Sequence, residues 1–111
     1  MALAATVYLA RMGGAGLAQL AELSAQRAHW LAEAVGGRAG YRLAFDAPFL
    51  WEFALRTPRP AGQTQALMLE RGVLPGLPLG RFDAGLSDTL LVSVTELNDA
   101  SALERFVEAL P

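Results

Sequence analysis

Residues 72–96 read GVLPGLPLGRFDAGLSDTLLVSVTE, and the assignment of the two halves decides the fold. Pro75, Gly76, Pro78 and Gly80 punctuate the first half. Each proline removes a backbone donor, so residues 73–79 are predicted to be an edge strand or an extended loop and not a central strand. Residues 90–95 are instead an apolar, β-branched run bounded by turn residues, the pattern of a buried central strand. A centre beside an edge implies a sheet, and the rest of the chain must supply its other strands and its cover.

Upstream of this stretch, Gly72 stops a short helix predicted over about 62–71, after the rigid connector Thr57, Pro58, Arg59, Pro60. Leu67 and Leu69 cannot share one face of that helix, so its register is open. Before the connector, Tyr41, Leu43 and Phe45 alternate with Arg42 and Ala44, and Trp51, Phe53 and Leu55 alternate with Glu52, Ala54 and Arg56. Two such runs joined by a turn at Asp46, Ala47 and Pro48 predict an antiparallel hairpin whose aromatic face meets the helices. Residues 16–35 predict an amphipathic helix with a wet stripe of Gln19, Glu22, Gln26, His29 and Glu33. Leu17, Leu20, Leu23, Trp30, Leu31 and Ala34 cover much of the rest, and Gly36 and Gly37 suit its C-cap. Residues 1–12, MALAATVYLARM, are apolar almost all round and predict a helix buried on several sides, with a hinge in the GGAG of residues 13–16. Downstream, Asn98 or Asp99 caps a last helix that buries Leu103, Phe106, Val107 and Leu110, spaced i, i+3, i+4, i+7. Glu96 is expected to help order its start. The expected architecture is α+β: a two-layer sandwich with a small, mostly antiparallel sheet and helices mainly on one face.

At 111 residues the chain is one domain with a single core. It is 53% hydrophobic with a mean hydropathy of +0.31, an excess that predicts apolar surface covered by something else. A buried first helix also predicts that the chain is a piece of a longer one. That helix is too short to span a bilayer and has no basic residue ahead of it, so neither membrane nor export signal is expected. A net charge of −2 with scattered arginines excludes a basic stripe for nucleic acid. There is no cysteine, which fits a reducing, cytoplasmic setting, and one histidine alone makes no metal site. Ser24, Ser87, Ser93 and Ser101 lack an adjacent base motif. Asp83 and Asp88 are the closest loop carboxylates and read as solvated. All nine basic residues are Arg, so no lysine amine exists for Schiff-base chemistry. No residue of the chain is therefore expected to be catalytic, cofactor-binding or metal-ligating.

Four separated blocks, YLARMGGAGLAQLAELSAQRAHWLAE, AFDAPFLWEFALR, ERGVLPGLPLGRF and LLVSVTE, followed by an acidic helix, resemble the C-terminal end of subunit 1 of glycine dehydrogenase (decarboxylating), the P-protein of the glycine cleavage system. The likeness spans nearly all 111 residues in order. It implies the small C-terminal domain of a fold-type-I pyridoxal-phosphate enzyme, with several hundred residues upstream. The parent complex would decarboxylate glycine and pass the aminomethyl group to the lipoyl H-protein, with pyridoxal phosphate on the partner subunit 2. Many such small domains carry an Arg in the last strand to grip a carboxylate. Here the corresponding place holds Leu91, which argues against that site. What remains is a loop facing the cleft or interface, Gly76, Leu77, Pro78, Leu79, Gly80 and Arg81, with Arg81 able to pair with a carboxylate or phosphate across the boundary. The segment then reads as a non-catalytic structural and assembly domain contacting the rest of subunit 1 and subunit 2. The alternative is a free-standing α+β ligand-binding or regulatory module that self-associates.

Overall fold

A computed structural model describes residues 1–111. Its order is α1 (Ala2–Gly36), β1 (Arg42–Leu43), β2 (Glu52–Arg56), α2 (Ala61–Glu70), β3 (Leu77–Pro78), β4 (Thr89–Ser93) and α3 (Ala100–Ala109). Two 3-10 turns, Leu79–Arg81 and Ala84–Leu86, lie between β3 and β4. The four strands form one antiparallel sheet in the order β1-β2-β4-β3. The run at residues 90–95 is thus a central strand, and the proline-rich stretch is the edge, Leu77 opposite Leu91 and Pro78 opposite Leu90.

One face of this sheet carries Phe53 and Leu55 from β2 with Leu90 and Val92 from β4, all buried under the helices. Ala28, Leu31, Ala32 and Val35 of α1 and Leu103, Phe106 and Ala109 of α3 complete the core. Each of the leucines, valines and phenylalanines contributes roughly 1.5–3 kcal/mol on leaving water. α2 settles its register by burying Ala61, Thr64 and Met68, leaving Leu69 exposed. Asp99 is the N-cap of α3, its carboxylate accepting from the Ala102 N–H at 2.8 Å. Glu96 contributes its backbone carbonyl, to Arg27, and not its carboxylate.

The C-terminal carbonyls of α3 are satisfied from elsewhere in the chain. Arg38 donates to the Val107 carbonyl and Arg71 to the Ala109 carbonyl, both at 2.9 Å. The Tyr41 hydroxyl donates to Pro111 at 2.7 Å. Burial pushes the Tyr41 pKa up, against the pull of Arg59, Arg38 and Arg71. Three donors from two segments, the α1–β1 connection and the end of α2, therefore cap one helix end that has no basic residue in its own last turn.

Two expectations need correction. Gly13 does break the first helix, at φ 63 and ψ 177, but residues 1–11 are exposed and not buried. Leu3 is 78% exposed, and Val7, Tyr8 and Leu9 are exposed too, so this helix is an uncovered arm of a chain that measures 44 × 30 × 27 Å overall. The apolar pattern is real, but its cover is absent from these 111 residues. Second, the aromatic face of the hairpin does not all meet the helices. Strand pairing stops at Leu43, and the loop with Asp46, Ala47 and Pro48 carries Phe45 and Trp51 to the surface. Leu23 and Trp30 on α1 are exposed too.

Candidate functional site

The sheet has a second, open face, and there the predicted loop meets the hairpin. Ala54, Leu91 and Leu77 stand in one row across β2, β4 and β3, on the side opposite the buried row. Leu79 and the hairpin residues Phe45, Pro48 and Phe49 wall this row into an open cleft of about 360 Å³. At its end the Ser93 hydroxyl donates to the Glu52 carboxylate at 2.6 Å. The lining is largely apolar and has no basic group, so the cleft suits contact with an apolar surface and not capture of an anion.

Gly76 to Arg81 are placed as follows. Gly76 adopts φ +142 with its backbone against Leu91, where a Cβ would lie 2.1 Å from the Leu91 carbonyl oxygen. The Gly76 carbonyl accepts from Gln65 Nε2 of α2 at 2.8 Å. Leu77 and Pro78 form the edge strand, whose proline blocks further pairing there. Leu79 turns into the cleft wall, and Gly80 passes so near Ser87 that a Cβ would lie 2.8 Å from its Cα. Arg81 is exposed at the end of the turn with no ion pair. The structure thus puts Leu79 in the cleft wall, sets Leu77 beside Leu91 at the sheet edge, and leaves Arg81 free. The hairpin wall was not foreseen, although the odd run of aromatics around Pro48 was its signal. Phe45, in the cleft wall, is 58% exposed, and Leu50 and Phe82 are exposed apolar side chains at 63% and 73%.

The acidic loop residues have structural work. Asp83 accepts from the Gly85 N–H at 2.8 Å and caps the second 3-10 turn. Asp88 pairs with Arg56 at 3.0 Å and accepts from the Thr89 hydroxyl at 3.0 Å. Partial burial works to raise the Asp88 pKa, but the Thr89 hydrogen bond and the Arg56 charge outweigh it and hold the carboxyl below its ordinary 3.8. A lowered folded pKa means stability that is present above 3.8 and lost as pH falls through the folded value. Asp88→Asn should therefore lower stability at neutral pH, and the gap to wild type should close in acid. The side chains are 29% and 38% exposed, so the neutral-pH loss is about 1 kcal/mol or less, read from urea unfolding at a series of pH values.

No protein-family profile matches the chain. Among curated proteins it is 44% identical over 110 residues to the probable glycine dehydrogenase (decarboxylating) subunit 1 of Thermomicrobium roseum, across 99% of this chain and 25% of that protein. The protein of the same name from Chloroherpeton thalassium is 40% identical over 109 residues, 98% of this chain and 24% of its own. This chain is a relative of glycine dehydrogenase (decarboxylating) subunit 1. A crystal structure of glycine decarboxylase (P-protein) of the glycine cleavage system, in inhibitor-bound form, matches it with a TM-score of 0.81 at 30% identity. That match covers 93% of this chain and 23% of the other. The family resemblance read from the four blocks and the α+β fold are both borne out. The chain spans about a quarter of the length of the subunit 1 relatives.

In this chain the donor set does not suit pyridoxal phosphate. There is no lysine to carry it, and Arg56, on the open face of β2, is committed to Asp88. Leu91, where a carboxylate-gripping Arg was sought, is packed between Ala54 and Leu77. No group of three His, Cys, Asp or Glu side chains is placed to hold a metal, and no helix is long and apolar enough to cross a membrane.

Proposed function

We propose that this segment is the C-terminal structural and assembly lobe of a glycine dehydrogenase (decarboxylating) subunit 1 and takes no part in the chemistry itself. The parent complex would use pyridoxal phosphate, held on the partner subunit 2, to decarboxylate glycine in the cytoplasm. The aminomethyl group would go to the lipoyl H-protein. The observation that carries the reading is the 44% identity across 99% of the chain to a quarter of a protein with that name. Two features agree with an assembly role: an exposed apolar arm, and an open-face cleft walled by Leu79, two residues before an exposed and unpaired Arg81. The arm would pack on the rest of subunit 1, and the cleft with Gly76 to Arg81 would face subunit 2.

Two arms of one experiment test this. The isolated 111-residue segment, given pyridoxal phosphate and glycine, should release no CO2, and turnover would defeat the non-catalytic reading. In the whole subunit, Arg81→Glu should weaken association with subunit 2 about three- to tenfold, the scale of one exposed or half-buried ion pair. Unchanged association would remove Arg81 from the interface.

A further inference from the structure

Residues 45–50 close the hairpin and form one wall of the cleft, yet no backbone ladder holds them. The last ladder bond before them is Ala44 N–H to the Ala54 carbonyl at 2.8 Å, and the next beyond is Val94 N–H to the Trp51 carbonyl at 2.9 Å. A single hydrogen bond reaches the six residues, from His29 of α1 to the Phe49 carbonyl at 2.9 Å. A carbonyl only accepts, so His29 Nε2 carries the proton in this bond. The same imidazole lies flat on the Phe49 ring, with centroids 4.2 Å apart and planes within 8°. Phe49 in turn leans on the buried Phe53 at 5.5 Å. Read from sequence, His29 was a solvated member of the wet stripe. It is exposed, but both its ring face and its N–H are committed to one loop residue.

We infer that His29 is the positioning residue that latches residues 45–50 into the shape that walls the cleft and displays Phe45 and Leu50. The inference rests on reading the open face as an interface, and it adds what keeps that interface in order. A loop without ladder bonds spends conformational entropy whenever it is fixed, so an unlatched wall would lose that entropy at the moment of docking. Among neutral side chains, imidazole combines a flat face for Phe49 with an N–H donor for its carbonyl. Gln keeps the donor and loses the stack; Phe does the reverse.

The test is limited chymotryptic digestion of the full-length subunit, following cleavage after Phe45 and Phe49, with affinity for subunit 2 measured on the same proteins. His29→Ala should raise the initial loop cleavage rate about tenfold, the scale of one lost hydrogen bond. His29→Gln should recover much of that protection. Cleavage in α3 after Phe106 serves as the control for global unfolding and should stay at the wild-type rate. Affinity should fall about three- to tenfold with Ala and less with Gln. Equal loop cleavage in wild type and His29→Ala overturns the latch, as does a rise matched at Phe106. If loop cleavage rises and affinity holds, the latch stands and the reading of the open face as an interface fails.

Discussion

Gly76→Ala should destabilise the chain by about 3 kcal/mol or more, through two costs that add. A non-glycine residue at φ +142 is strained by roughly 1–3 kcal/mol. Its Cβ would also lie 2.1 Å from the Leu91 carbonyl oxygen and 3.0 Å from the carbonyl carbon, both backbone atoms of a central strand that cannot rotate away. Relieving that overlap means lifting β3 off β4, with an overpacking cost of roughly 1–3 kcal/mol. It also breaks the Gln65 bond to the Gly76 carbonyl. Two other glycines calibrate the claim. Gly72, at φ +76 with open space around its Cβ position, should cost only the backbone term on change to Ala, about 1–2 kcal/mol. Gly62, inside α2 with nothing within 4 Å, should gain up to about 1 kcal/mol. The measurement is the urea midpoint of each variant, and a Gly76→Ala loss no larger than that of Gly72→Ala would show that no close approach exists.

That close approach is a fact the sequence half discloses. The dense Pro/Gly punctuation announces an edge and says little about which strand it meets, because pairing partners are set by contacts far apart in the chain. The same division runs through the molecule. Signals carried by neighbours in sequence were legible: the period-2 runs of the hairpin, the apolar residues 90–95, the break at Gly13 and the capping carboxylate of Asp99. Contacts between distant residues were not. Arg38, Arg71 and Tyr41 cap α3 across separations of 69, 38 and 70 residues, and no local pattern marks them. His29 was assigned to solvent because its helical stripe is polar, and its partner Phe49 lies 20 residues away in a loop of no fixed period.

The arm shows the opposite failure. The apolar pattern of residues 1–12 predicts burial, but burial needs a second surface, and these 111 residues supply none, so residues 1–11 stand exposed. At the cleft, Leu77 and Leu79 were legible only as members of a boundary loop, and it takes the sheet register to set Leu77 beside Leu91 on the open face, with Leu79 in the cleft wall. Leu91 carries the most weight there. A leucine between Ala54 and Leu77 keeps the open face apolar, where an arginine in its place would have offered a carboxylate-gripping group.

Met68→Ala should cost about 2–5 kcal/mol, against less than about 1 kcal/mol for Leu69→Ala. Hydropathy alone ranks them the other way. In sequence, α2 offers Leu67, Met68 and Leu69 in a row, with no way to choose the buried one because successive helical residues lie about 100° apart and the three point in different directions. The fold chooses by what precedes the helix: Ala61 N–H donates to the Ser87 carbonyl at 2.9 Å, seating the first turn against the β4 approach. From Ala61, the positions at i+3 and i+7 are Thr64 and Met68, and all three are fully buried. Thr64 buries its hydroxyl without a hydrogen-bond partner, so this face holds its position at a polar cost and the Met68 side chain must offset it. Leu69, 49% exposed, has little left to lose. Met68→Leu, which keeps the volume, should stay within about 1.5 kcal/mol of wild type. Thr64→Val, which keeps the shape and removes the orphaned hydroxyl, should be neutral or stabilising. Urea unfolding of the four variants decides the matter: comparable losses for Met68→Ala and Leu69→Ala would mean that α2 is turned about its axis and that its buried face is not the one described.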